Sequence, residues 1–540
     1  MSRTVLALCL ALAAPVAACD TSGGDGAPPT GLQLSVYTSP QAGNPYDNVA
    51  WLRIAMHGDG IVQPVEKLVA YQPGVQVNLD GAPFSKAGES RQLVVEGWSA
   101  NATGQPAALV SRGRSFPTEV RAGALATTLK VLFARVNQFL TVVSVADRAP
   151  QRLNEGRLGL TATPTNAGEV VFAGGGEVVV ASAKWWAGAD FAKVLQTVEA
   201  LDLSTQVVSP RAPMLQPRAW HTATALSSGQ VILAGGYGAG GDALNTVELY
   251  NPPGVLDGTA KTLPNMKVSR AGHTATMIDE VSRTILFVGG DADGTWELWD
   301  PMTGSPGGTH PLADSLARRH HAATTFYLPG RAEPAVFIAG GETATGVLAT
   351  GMLYDSVARS MVPIGGPMPS GGRTQATATL VPSRGFIYVA GGFTDVNRAG
   401  ATGSIEVFDI GTLGFLQGNE NFRMRTGRGG HSAVLMPDNA VLLAGGIGSE
   451  PPTNPAAPLA SVEVIHEFLD ATQGVLRIEV ASSWNTDAAA AQVPYMAEPR
   501  VGQRAVALGN GMALIVGGEK RDTQTGGFTP VRDVILYNPF

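Results

Sequence analysis

Two rhythms of apolar and polar positions divide the chain. Between residues 31 and about 135, short runs alternate: Leu32-Gln33-Leu34-Ser35-Val36, Val75-Gln76-Val77-Asn78-Leu79 and Thr128-Leu129-Lys130-Val131-Leu132. Successive side chains of a strand point to opposite faces, so period two predicts half-buried strands, with Gly, Pro and Asn clusters as the turns between them. Beyond residue 138 the pattern changes. Seven apolar strands each end in a glycine pair: Gly174-Gly175, Gly235-Gly236, Gly289-Gly290, Gly340-Gly341, Gly391-Gly392, Gly445-Gly446 and Gly517-Gly518. Glycine reaches backbone angles closed to other residues and lets another backbone approach closely. A third pattern stands at the start: Arg3, an apolar stretch from Val5 to Ala14, Pro15, then small residues up to Cys19. That stretch is too short to span a bilayer and has the form of an export signal.

The glycine pairs are in phase with two flanking motifs. Upstream comes an arginine, often with histidine three places on and a small Thr/Ala stretch. Arg218-Ala219-Trp220-His221-Thr222 and Arg270-Ala271-Gly272-His273-Thr274 are the clear copies, with weaker ones at Arg157, Arg318, Arg373, Arg428 and Arg500. Downstream comes apolar-Glu-apolar-aromatic-Asp/Asn, as in Val247-Glu248-Leu249-Tyr250-Asn251 and Ile405-Glu406-Val407-Phe408-Asp409. These residues resemble the kelch repeat over roughly residues 138–540. Four short strands plus turns need about 50 residues, which matches the period of that family. Seven repeats imply an all-β, seven-bladed kelch-type β-propeller over residues 136–540. The last repeat stops after its third strand, and Phe139–Val145 is an orphan strand expected to complete it and close the ring. About seven strands in residues 31–135 lead us to expect a small immunoglobulin-like β-sandwich before the propeller, serving as a spacer.

Val16-Ala17-Ala18-Cys19 resembles the bacterial lipobox. The resemblance implies a lipoprotein signal peptide over residues 1–18, lipidation of Cys19 and a flexible tether over 19–30. Several acyl chains make a durable anchor, since each buried CH₂ contributes about 0.8 kcal/mol. The expected place is the cell envelope, on a bacterial membrane. Cys9 leaves with the signal, so of the two cysteines in 540 residues none remains for a disulfide framework. The formal net charge is −7 with no basic run, which excludes an electrostatic footprint for nucleic acid.

Candidate chemistry is sparse. The stretch between the second glycine and the glutamate slot is longest in repeats five, six, seven and one, contiguous once a ring closes. Loops on a rigid scaffold are a favoured place for binding. Lys184, Trp185, Trp186 and Asp190 of repeat one stand out, since indole faces cover apolar sugar faces or attract cations. Asp395, Asn397 and Arg398 of repeat five, with Lys520, Arg521 and Asp522 of repeat seven, are candidates for polar contacts. A plainer role is that the tryptophans cover the blade side and the charges are solvated. His221, His273, His321 and His431 share one repeat slot, so they are expected to pack rather than converge on a metal. The repeated arginines and Glu199, Glu248, Glu297, Glu406 and Glu463 read as blade architecture for the same reason. Asp291-Ala292-Asp293-Gly294-Thr295-Trp296 lacks the ligand series of a calcium loop and reads as a turn. Galactose oxidase has a similar architecture, but its copper chemistry depends on a tyrosine–cysteine cross-link that the mature propeller has no cysteine to make. No catalytic residue, metal or cofactor is expected. The expected function is a lipid-anchored binding or scaffolding module for a protein or glycan ligand. The alternative is a carbohydrate-active enzyme similar to the kelch-type sialic acid mutarotases, with a pocket on the long-loop face.

Overall fold

The structure, a computed structural model, describes residues 31–39, 43–73, 88–119, 126–178, 191–253, 258–417, 422–449, 457–470, 475–483, 493–522, 524 and 526–539. The signal, Cys19, the tether and the strand expected at Val75–Leu79 lie outside them. Among the described residues the fold is all-β, without a helix long and apolar enough to cross a membrane. Two compact units are present. One is Met1–Pro150 with Leu508–Met512 and Leu536–Phe540; the other is Gln151–Ala507 with Ala513–Ile535.

In the first unit an antiparallel sheet runs in the order Val65–Ala70, Trp51–Gly58, Ser90–Ala100, Pro106–Arg114, Ala134–Arg135. Gly31–Tyr37 and Ala126–Leu132 pair in parallel beside it. Alternation decides what is buried: Leu52, Ile54 and Met56 with Leu93 and Val95 present one face, which packs on Leu34, Leu129 and Val131. On the next register positions Glu96 holds Arg53 and Arg112 at 2.9 and 3.0 Å. The chain terminus belongs to this unit. Buried Asn538 donates to the carbonyls of Arg112, Ala134 and Arg135 at 3.0–3.1 Å, and Tyr537 Oη donates to Asn137.

Beyond it, the described residues form seven four-stranded sheets, one per glycine pair. Strands a to d follow one another in the chain for sheets one to six. The seventh takes Arg504–Ala507, Ala513–Val516 and Val534–Asn538 as a to c, and its outer strand is Gln138–Thr141, which precedes the first sheet. This strand is shorter than the sequence suggests, because the chain turns away at Ser144, whose N–H donates to the Ala149 carbonyl.

The repeated residues explain the sheets. In sheets one to six the arginine is buried and donates through Nη1 to the carbonyl of the first glycine and to one at the start of strand c. Arg157 reaches Gly174 and Thr197 at 2.9 and 2.8 Å; Arg428 reaches Gly445 and Ser461, both at 2.9 Å. The strand-c glutamate takes the rest of the charge, as in Arg218–Glu248 at 2.7 Å and Arg428–Glu463 at 2.9 Å. The fourth sheet has Met352 in that place, and Asp314 pairs with Arg318 instead. One buried guanidinium thus ties the glycine corner to strand c, with a carboxylate matching its charge.

The glycines join each sheet to the next. Both glycines of every pair have positive φ. A Cβ on Gly391 would lie 2.4 Å from the Arg428 carbonyl oxygen, and one on Gly174 2.3 Å from that of Arg218. The N–H of the second glycine donates to that same carbonyl: Gly175 to Arg218, Gly236 to Arg270, Gly290 to Arg318, Gly341 to Arg373, Gly392 to Arg428, Gly446 to Arg500 and Gly518 to Arg157, all at 2.8–2.9 Å. Strand a of each sheet likewise touches strand a of the next, and that of the seventh touches that of the first. Between strands b and c, sheets one, six and seven insert a hairpin: Gly176–Val178 with Phe191–Val194, Ile447–Gly448 with Ala457–Pro458, and Glu519–Arg521 with Phe528–Pro530. The hairpin of sheet seven touches the other two.

Candidate functional site

The residue two places after each repeated arginine holds a left-handed backbone: Gly159 (φ 65°), Trp220 (53°), Gly272 (63°), His320 (54°), Gln375 (52°), Gly430 (64°) and Gly502 (67°). Their peptides are linked in file. Trp220 N–H donates to Gly159 O, Gly272 to Trp220, His320 to Gly272, Gln375 to His320, Gly430 to Gln375 and Gly502 to Gly430, at 2.8–3.2 Å. Glycine suits this geometry. For Trp220, His320 and Gln375 it costs about 1–2 kcal/mol each. Room for the large side chains comes from neighbouring glycines: a Cβ on Gly159 would lie 3.1 Å from the Trp220 indole, and one on Gly272 2.7 Å from the His320 ring. The two rings meet edge to face at 5.5 Å.

These residues other than Gly159, with the starts of the a strands, line an open cavity of about 260 Å³. Trp220 lines it and also packs into an apolar cluster with Tyr237, Phe393, Ile447 and Val501. The walls are threonine–histidine pairs between neighbouring sheets. Thr161 Oγ1 meets His221 Nε2 at 3.1 Å, Thr222 meets His273 at 3.0 Å, Thr274 meets His321 at 2.8 Å and Thr377 meets His431 at 3.0 Å. Where the histidine slot holds Ala376, the threonine slot facing it holds Ala322. Burial, with the repeated arginine nearby as the next cause, pushes His221, His321 and His431 down to about 3 and His273 well below its ordinary value. His320 is also pushed down to about 3 by burial. All five are neutral at physiological pH.

Arg504 breaks the wall pattern. Its slot holds Thr161, Thr222, Thr274, Ala322, Thr377 and Ser432 in the other sheets. The guanidinium lies over the Trp220 ring, 5.6 Å from its centroid, and has neither an ion pair nor a hydrogen bond among the described residues. Desolvation pulls its pKa down, but a guanidinium stays charged at neutral pH. Among the described residues no carboxylate lines the cavity. Both amide atoms of Gln375 and Nε2 of His320, a residue only 8% exposed, are buried without a protein hydrogen-bond partner. Unmet polar atoms in a low-dielectric site bind a complementary ligand group strongly. The arrangement therefore holds a cation, a donor–acceptor amide and an indole in one small space.

The residues expected from the sequence lie elsewhere. Lys184, Trp185, Trp186 and Asp190 are outside the described residues. The Asp395 carboxylate accepts the N–H groups of Asn397, Ala399 and Gly400, shaping its own loop, with Asn397 exposed on it. Arg398 is buried, paired with Glu342 at 2.5 Å and lying over Phe393. Lys520 pairs with Glu498 at 2.6 Å; Arg521 is exposed, and Asp522 accepts the Gln524 N–H. Asp291 is bound to Arg270 and to Thr295, so its loop is a structural turn. Among the described residues, none group into a His, Cys, Asp or Glu cluster able to hold a metal ion. A second cavity, of about 880 Å³, lies beside the third and fourth sheets. There Trp296 stacks on His310 at 4.4 Å, and Asp279 and Asp300 are each spent on their own turns. Sequence reasoning missed Trp220, His320, Gln375 and Arg504. Aligning the repeats on their arginines exposes all four, as the positions that depart from glycine or from Thr/Ser/Ala.

No family model matches the chain, and no curated protein matches it.

Proposed function

We propose that the chain is an exported, lipid-anchored kelch-type lipoprotein. Its seven sheets are the blades of a closed β-propeller, and it acts as a binding module for a protein or glycan ligand. The immunoglobulin-like sandwich is the spacer and the lipid on Cys19 the anchor. In support of a closed ring, the glycine-to-arginine bonds and strand-a contacts return from the seventh sheet to the first. In support of binding, one observation carries the reading: Arg504, without an ion pair or hydrogen bond among the described residues, stands in a cavity lined by Trp220, beside the unmet amide of Gln375. Strain and unmet polar atoms gathered at one place point to function. A carbohydrate-active enzyme is less favoured, because the cavity's histidines are held neutral and four of them are bonded to threonines. The test is a glycan and peptide array probed with residues 20–540. Ligands captured by the native protein should be lost when His320 and Gln375 are both replaced by Gly. Capture that survives this double replacement contradicts the reading.

A further inference from the structure

We propose that the cavity between the a strands recognises an organic carboxylate of about one ring or one side chain in size, with Arg504 as its ion-pair partner. The inference rests on the reading of this cavity as the ligand site. Arg157, Arg218, Arg270, Arg318, Arg373 and Arg428 are each matched to a carboxylate and to carbonyls of their own sheet. Arg500 of the seventh sheet reaches the Asp533 carbonyl, whereas Arg504 has neither an ion pair nor a hydrogen bond among the described residues. Arg504 is partly buried, and a partly desolvated cation without a partner is a cost that folds normally avoid. The Trp220 face positions the guanidinium by a cation–π contact, which leaves its N–H donors available. Those donors form a planar fork that fits a carboxylate in two parallel bonds. The neutral histidines add no competing charge, and no described carboxylate lines the space.

Size sets the second limit. Pockets for drug-sized molecules run from about 300 to 1,000 Å³, so a cavity of about 260 Å³ suits a single ring or side chain. Gln375 offers one acceptor and one donor pair, and His320 a ring nitrogen, beside the cation. A carboxylate that also carries hydroxyl or amide groups uses all of them. The source is therefore a sugar acid or an acidic side chain, which share this chemistry.

Calorimetric titration of the full chain with D-glucuronate, N-acetylglutamate amide and acetate, against D-glucose and N-acetylglutamine amide, tests the proposal. At least one of the two larger carboxylates should bind about 10- to 100-fold more tightly than its neutral counterpart. Arg504→Gln should remove that margin and Arg504→Lys restore part of it, without loss of melting temperature, because Arg504 has neither an ion pair nor a hydrogen bond among the described residues. Tighter glucuronate assigns a sugar acid, and tighter N-acetylglutamate amide an acidic side chain. Failure of all three carboxylates to bind overturns the proposal. So does equal binding of charged and neutral probes, although the ligand-site reading still stands if His320→Gly with Gln375→Gly abolishes that binding. Carboxylate binding that ignores both Arg504→Gln and the double glycine replacement overturns the reading as well.

Discussion

Trp220, His320 and Gln375 occupy backbone angles that their four counterparts leave to glycine. Gln375 is the clearest case, because its side chain bonds to nothing around it while both amide atoms are buried. Replacing it by Gly relieves the left-handed strain and removes a desolvated amide, offset by the greater freedom of glycine in the unfolded chain. Gln375→Gly is expected to raise the unfolding free energy by about 1 kcal/mol in urea titrations, while weakening ligand binding. A loss of stability would mean that the side chain supports the fold.

The histidines act in the opposite sense. His221, His320, His321 and His431 have folded-state values of about 3, below the ordinary 6.5, because burial disfavours the imidazolium. The unfolded chain binds the extra protons, so their stabilisation is complete above about pH 6.5 and is lost as the pH falls from there toward 3. Melting temperature should drop steeply across that window. His431→Gln, which copies the seventh repeat's Gln503, should reduce the dependence by about 1.4 kcal/mol per pH unit between pH 6 and 4. An unchanged slope would place His431 in contact with water or a counter-charge.

At the scale of elements, sheets one to six each hang on one buried arginine–carboxylate pair. Glu248 accepts from Arg218 at 2.7 Å and also from the Leu215 and Gln216 N–H groups at 2.6 and 3.1 Å. Glu248→Ala leaves a buried cation and two donors unmatched, and should cost about 3–5 kcal/mol in urea unfolding. Glu248→Gln keeps an acceptor and should cost less. The strands, the glycine corners and the repeated arginines were legible because each recurs in phase seven times, and repetition marks what the backbone requires. The candidate site was not legible for the same reason. Its residues are departures from the repeat, and Arg504 stands only four places from a structural arginine, Arg500. Nothing in the local sequence separates the two. What separates them is that Arg500 reaches the Asp533 carbonyl of its own sheet, whereas Arg504 has neither an ion pair nor a hydrogen bond among the described residues. The long loops drew attention by their length, yet the described parts fold into hairpins or bond to themselves.

For the whole molecule, the proposal is an anchor, a spacer and a ring of sheets with a small cavity between the a strands. The proposed anchor depends on one atom, the Cys19 thiol. Cys19→Ser should move the protein from the membrane to the soluble fraction and abolish palmitate labelling, and membrane retention without the thiol would refute the lipid. The central claim is that the ligand sits between the a strands rather than on the outer loops. A crystal structure of the full-length protein with a ligand captured on the array measures this directly. The account expects that ligand beside Arg504, Trp220 and Gln375. A ligand held by residues 184–190, with nothing bound between the a strands, would contradict it.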